Sequence, residues 1–472
     1  MHTAATISSR YLEDDARALE FYGKVLESDA TNVKAAEEAA ELYKKVGNYD
    51  ASERMLQTVL DLAKDAGDRD RMVVVLDELA DLYRRFLKEP ELAIDALEAA
   101  QAFDPEGKDR SEMLAELYAS DPAQYLEKAV RSQAQLLQNN PYRVESYKLL
   151  RKLYTDTKHA DPAWCLCQAL ATLNLAEPDE ERFYTRYRSK TAAPAQAVLD
   201  DSDWDHLLHP DADPVLTKLF ALLEPVIRKS RTQPIEQLGF DQRYAIDTSQ
   251  HPYPVSQTLY YAQGVLGLGQ VKVFQQLADA PATQAAQFVG FVHASEPAIV
   301  IGRTAFETPL EAQALTFILG RHLSYYRAGH YVRHLVPSGT GLKAWLFAGI
   351  KLCVPNFPVA ADLQGPVAEA TQHLVANLTP NDKDNLASIV SRLLREAPAL
   401  DLKKWVAGID FSADRTGFLL AHDLDTSASV IRDNPLGEAG LPTKERMKEL
   451  VLFGVSESYF ALRKSLSVAI DS

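Results

Sequence analysis

Glu41-Leu-Tyr-Lys-Lys-Val-Gly-Asn-Tyr-Asp50 is the stretch on which the reading of the first half turns. Its Leu42-Tyr43 dipeptide recurs as Leu82-Tyr83, Leu117-Tyr118 and Leu153-Tyr154, at spacings of 40, 35 and 36 residues. Each copy lies near the end of a helical apolar pattern and is followed by a short polar break. A second helical pattern then runs to a turn such as Asp104-Pro105 or Asn140-Pro141. Paired helices at this period predict an α-solenoid, in which each pair buries its apolar face only by stacking on its neighbours.

The composition sets wider bounds. The 472 residues are 46% hydrophobic and 25% charged, which is ordinary globular composition and excludes a disordered chain. With 50 Lys+Arg against 66 Asp+Glu the formal charge is −16, so the average field repels phosphate backbones and anionic headgroups, and nucleic acid is not the expected partner. Residues 1–190 hold roughly 36 acids against roughly 26 bases, so a partner steered to that part by charge is basic. The three cysteines are Cys165, Cys167 and Cys353, and the close pair is too near in sequence to close an ordinary disulfide loop. A reducing cytoplasm is the expected setting. Met1 to Arg10 has no basic segment leading into an apolar run, and the apolar stretch Ala344 to Ile350, bracketed by Lys343 and Lys351, is far too short to span a bilayer.

Glu41 to Asp50 resembles the inter-helix turn of a tetratricopeptide repeat. Ala93, Ala100 and Pro105 match that family's small second-helix residues and closing proline if one residue is inserted before Ala93, and Ala18 and Ala129 fit the same small position. The resemblance covers roughly residues 10–175 and implies a protein-binding surface without chemistry. Because the segment is acidic, a helical or basic partner segment suits it better than a carboxylate tail; the alternative is that these helices only brace the second half. Cys165-Leu-Cys167 lies in the last repeat-like pair, where residues two apart point to different faces, so packing explains it better than metal binding. Proline and acid density rise over Lys190 to Pro194 and Asp200 to Pro214, marking a boundary. The expected organisation is a repeat domain over 1–190, a linker over 191–214 whose Trp204 and His206 are candidates for docking the two halves, and a second domain over 215–472.

The second domain reads as α+β, so the whole chain is mainly α. Val215 to Ile227 is helical, and Val271 to Phe274, Phe288 to Val292 and Ala298 to Ile301 read as strands. Thr308-Pro309-Leu310-Glu311 has the form of a capping box opening a helix. The helix that follows contains Leu319-Gly-Arg-His-Leu-Ser-Tyr325, which resembles the Leu-Gly-His-Glu-Leu-Ala-His zinc helix of HtpX-like zinc peptidases of the prenyl-endopeptidase type, a gluzincin-like fold. Downstream, Asp410-Phe-Ser-Ala413-Asp414-Arg415-Thr-Gly417 resembles that family's Glu-x-x-Ala-Asp-Arg-x-Gly, and Ala298 to Phe306 fits the strand and loop before its zinc helix. The resemblance implies that Arg321 stands for the first histidine ligand, His322 for the catalytic glutamate, Tyr325 for the second histidine, Asp410 for the third ligand and Asp414 for its support.

These departures point to a pseudo-peptidase. A guanidinium has no lone pair to give zinc, and one remaining carboxylate is too few for a tetrahedral site. Arg321 in place of a lost cation is expected to bond Asp410. An alternative metal set of His322, His330, His334 and Asp410 is suggested by the i, i+4 pair His330 and His334, although Tyr331 occupies the slot where a zincin carries its glutamate. Gly264 to Gly269 precedes a strand and reads as a turn, Val336 to Gly341 lacks the lysine of a phosphate loop, and no Gly-x-Ser-x-Gly elbow occurs. Thr443 to Ile470 reads as one amphipathic helix. The expected protein is a cytoplasmic, non-catalytic scaffold or adaptor needing no cofactor. The alternatives are a residual metal-dependent hydrolase at the His/Asp set and a peptide receptor using the old substrate cleft. The whole chain also resembles tetratricopeptide proteins of a myxobacterial type, which brings no biochemical role.

Overall fold

The turn at 41–50 forms as its residues dictate. Helix α3 (Val33–Lys45) stops at Val46, Gly47 takes a φ of 81° that a side chain resists, and Asn48 accepts a hydrogen bond from the Ala51 backbone to open α4 (Tyr49–Ala66). The structure is a computed structural model. It describes the whole chain apart from Tyr11, Glu13, Glu106, 190–194, Gln196, His251, 277–287, 308–309, 397–400, 434–440 and 471–472. It has two compact units, Met1–Leu153 and Tyr154–Ser472.

The first unit is entirely helical over its described residues. Besides α3 and α4 it contains α1 (His2–Arg10), α2 (Asp15–Ser28), α5 (Arg69–Leu82), α6 (Pro90–Phe103), α7 (Lys108–Ser120) and α8 (Pro122–Asn139), with α9 (Val144–Asp156) beginning in it. Successive helices pack in pairs, α3 on α4, α5 on α6 and α7 on α8. The recurring leucines Leu42, Leu82, Leu117 and Leu153 are all buried, as are the small residues Ala18, Ala93, Ala100 and Ala129. The tyrosine that follows two of these leucines reaches back to the previous pair: Tyr83 donates to Glu53 at 2.8 Å and Tyr118 to Glu98 at 2.6 Å. Burial and Glu53 push the Tyr83 phenol up to about 12, so it stays a donor at neutral pH. A π-helical turn at Tyr83–Leu87 lengthens the way into α6, which is where the repeat pattern requires its extra residue.

The second unit begins with α10 (Ala160–Thr172), α11 (Pro178–Tyr187) and α12 (Asp201–Leu207). The first two of these, grouped with the repeats on sequence grounds, are tied into this unit by ion pairs. Asp161 of α10 receives a bidentate pair from Arg463, and Arg188, just after α11, donates to the buried Asp423 at 2.7 and 3.0 Å. Of the expected linker, 191–194 and 196 lie outside the described residues, as does Lys190. The remainder includes α12, whose Trp204 is buried beneath Arg327 and whose His206 lies beside Ser458, so both make their contacts within this unit.

The chain continues through α13 (Pro214–Arg231) and α14 (Pro254–Leu266), which ends on the left-handed Gly267, to β1 (Lys272–Gln275), β2 (Val289–Val292) and β3 (Ala298–Ile301). The sheet order is β1-β3-β2, with β1 parallel and β2 antiparallel to the fully buried β3. Next come α15 (Thr304–Glu307), α16 (Ala312–Ser324), α17 (Val332–Leu335), α18 (Gly339–Cys353), α19 (Gln364–Asn377), α20 (Pro380–Glu396), α21 (Leu402–Ala421), α22 (Leu424–Asp433), α23 (Thr443–Gly454) and α24 (Glu457–Ser465). Among the described residues no helix is long and apolar enough to cross a membrane.

Two sequence expectations need correction. Helix α16 starts at Ala312, because Glu311 has an extended ψ of 142°. Thr308 and Pro309 of the expected capping box lie outside the described residues. The expected helix from Thr443 to Ile470 is two helices: the chain leaves the helical path at Val455, and Ser456 then caps α24 by accepting from Tyr459.

Helix α16 packs along α21 with glycines at the crossing. A methyl group on Gly417 would stand 2.6 Å from the Phe317 carbonyl oxygen, and one on Gly320 would stand 2.7 Å from the Leu420 side chain. Gly417→Ala therefore forces two backbones apart and is expected to destabilise the second unit by about 1–3 kcal/mol. Gly264→Ala, at an exposed position of α14 with nothing beyond its own helix within 4 Å, is expected to be neutral or stabilising by up to about 1 kcal/mol. Urea unfolding of the two variants checks the contrast.

Candidate functional site

The crossing at Gly320 and Gly417 brings together the next polar positions of both helices. Arg321 and Tyr325 lie one turn apart on α16, Asp410 and Asp414 one turn apart on α21, so the two pairs meet as facing rungs. The side chains of Asp410 and Asp414 are only 1% and 3% exposed. Their charges have to be answered inside the protein.

Arg321 answers Asp414 rather than Asp410. Its Nε donates to Asp414 Oδ1 at 2.7 Å, and its Nη2 donates to the Tyr325 hydroxyl at 3.2 Å. That hydroxyl donates in turn to Asp410 Oδ1 at 2.7 Å, so Tyr325 bridges the arginine to the carboxylate it was expected to meet. The cation on Asp410 is Arg333, from α17, whose Nε lies 2.7 and 2.9 Å from the two carboxylate oxygens. Asp414 has a second guanidinium on it, that of Arg446 from α23, with Nε and Nη2 each donating at 2.7 Å in a bidentate pair. Burial pushes the Asp410 carboxyl above its ordinary value, against the opposing pull of Arg333 and the Tyr325 hydroxyl.

Arg333 and Arg446 were not singled out in the sequence. Arg446 left one trace there, as a charged residue a turn before Leu450 on the apolar face of its helix. Arg333 lies between the two histidines that drew attention to its segment.

Those histidines sit elsewhere in the core. Phe291 of β2 stacks on His322 at 3.7 Å between ring centroids and meets His334 at 4.0 Å with the rings tilted by 38°. Burial, helped by neighbouring arginines, lowers His322 and His330 to about 3 and His334 to about 2, so all three imidazoles are neutral at neutral pH. His330 and His334 do not share a continuous helix, since α17 begins only at Val332. Among the described residues Nε2 of each of the three has no hydrogen-bond partner. Among the described residues no three His, Cys, Asp or Glu side chains are placed to hold a metal ion, so the set His322, His330, His334 and Asp410 does not assemble as one.

Zinc, the ion that the peptidase resemblance implies, does not fit these residues. Both carboxylates are engaged by guanidiniums, and the position of the first histidine ligand holds a permanent cation. Beside the network lies a cavity of about 980 Å³, with Arg321, His322 and Arg446 in its wall. Cys165 and Cys167 are both buried within α10.

Comparison with known families matches a tetratricopeptide repeat to residues 33–106, from the start of α3 to just beyond α6. No curated protein matches the chain.

Two measurements test the electrostatics. Asp414→Asn leaves two guanidiniums facing a neutral amide and is expected to cost about 3–5 kcal/mol by urea unfolding, more than Arg446→Met, after which Asp414 still holds Arg321. The buried imidazoles bind protons more weakly folded than unfolded, so they add stability that is whole above about pH 6.5 and is lost as pH falls toward about 3. His334→Phe is expected to flatten that fall by up to about 1 kcal/mol per pH unit in unfolding series between pH 4 and 7.

Proposed function

We propose that the chain is a non-catalytic, cytoplasmic protein-interaction scaffold that joins a tetratricopeptide-type binding unit to a pseudo-peptidase unit. The supporting observation for the second unit is the company kept by Arg321, Tyr325, Asp410 and Asp414. The four positions that a peptidase of this type uses for ligands and their support lie together, and their polar groups are engaged by one another and by Arg333 and Arg446. An ion-pair network in that place holds α16, α17, α21 and α23 in register and offers no water-activating ion. Its role in this reading is to fix a shape.

For the first unit the support is the family match over residues 33–106 and the helix pairs around it. Stacked helical pairs present an extended surface, and the acid excess of this part favours a basic or helical partner segment.

Elemental analysis and a peptidase assay on purified full-length protein test the reading. The expected outcome is well under one zinc per chain after exposure to zinc and desalting, with no cleavage of unfolded casein. Stoichiometric zinc together with turnover that Asp410→Ala abolishes would overturn it.

A further inference from the structure

The charges of the first unit stand in register with its repeats. Five residues before the recurring leucine come Glu37, Asp77 and Glu112, and one residue before it come Glu41, Asp81 and Glu116; in α9 the same two places hold Lys148 and Lys152. The first row of acids reaches forward to the next repeat. Glu37 meets Arg71 at 3.2 Å, Asp77 meets Arg110 at 2.7 Å, and Glu112 meets Arg143, just before α9, at 2.9 Å. Two acids of the second row reach back instead, Asp81 to Lys44 of α3 at 3.2 Å and Glu116 to Arg84 of the π-helical turn at 3.8 Å. Helices α3 and α5 are thus joined near both ends, and so are α5 and α7. Main-chain packing between successive pairs runs through the other helix of each pair, α4 on α5 and α6 on α7. One side of each joint is therefore apolar and the other is ionic. Of the five cations Arg110 alone is buried, where Asp104 holds it as well; the other pairs are partly open to solvent, so dissolved ions screen them.

We propose that these ion pairs act as a spring that sets the curvature of the first unit, so that the side formed by α3, α5, α7 and the start of α9 splays open as ionic strength rises. Each repeat touches only its neighbours, so a small change of angle at each joint adds along the array. The buried leucines and alanines hold the fold, and the half-exposed pairs only bias the angle between repeats. The joint between α3 and α5 yields first, because both of its pairs are open to solvent; the joint between α5 and α7 keeps the buried Arg110.

Electron–electron distance measurement on the full-length chain tests the spring. Spin labels go on Lys34→Cys and Glu145→Cys, exposed and equivalent places of α3 and α9, in a Cys353→Ala background; Cys165 and Cys167 are buried. Between about 20 and about 500 mM NaCl the Debye length falls from roughly 20 to roughly 4 Å, and the 34–145 distance is expected to lengthen by about 3 Å, roughly 1 Å for each of three joints. Labels on Lys34→Cys and Asp65→Cys, within the single pair α3 and α4, are expected to stay at one distance. The variant Glu37→Gln/Asp81→Asn/Glu112→Gln/Glu116→Gln is expected to show the long 34–145 distance already at low salt and to lose the response. A 34–145 distance that is constant or shortens with salt would overturn the proposal whether or not the variant folds. So would a 34–65 distance that changes equally, or a folded variant that responds as the parent does.

Discussion

Two carboxylates one turn apart on α21, both almost wholly withdrawn from water, dictate the arrangement around them. Burying such a pair unanswered costs several kcal/mol for each charge, and the cost is offset only by cations that arrive with good geometry. Here the cations come from three different segments: Arg321 on α16, Arg333 on α17 and Arg446 on α23. The glycine crossing that lets α16 approach α21 is the precondition, since Gly417 meets the Phe317 carbonyl where any side chain would hold the helices apart. Backbone proximity, side-chain length and charge thus form one constraint.

The sequence made the positions of this network legible but not its pairings. Residues 321 and 325, and 410 and 414, are each spaced by four, and that spacing alone places each pair on one face of its helix. Which guanidinium meets which carboxylate depends on helix offset, and no spacing encodes that. Arg321 therefore lands on Asp414, with Tyr325 as the link to Asp410. Arg333 and Arg446 escaped because their partners lie 77 and 32 residues away. The same limit explains the expected helix from Thr443 to Ile470. Its apolar period continues through the break, and only the capping geometry at Ser456 reveals two helices.

The repeats were easier to read because their determinants are local. Gly47 and Asn48 shape their own turn, and Leu42, Leu82, Leu117 and Leu153 each occupy the same buried place near the end of a helix. The residues after the repeats were harder. Helices α10 and α11 look like one more helical pair in sequence, yet Asp161 and Asp423 commit them to the second unit through arginines at 463 and 188. A charged residue on an otherwise apolar helix face, as at Asp161 and Arg446, was the one cue available. It signals that a partner exists without saying where.

The origin of Arg446 and Arg463 in helices well downstream of the groups they neutralise bears on how the chain is made. A nascent chain that has emerged only as far as α21 carries Asp414 with one of its two counter-ions and Asp161 with none of its bidentate contact to Arg463. Its central helices have the pattern of a finished core but an incomplete charge complement, so tight docking waits for translation of α23 and α24. Until then those surfaces are open to chaperones, and to premature association with neighbouring chains on the same polysome.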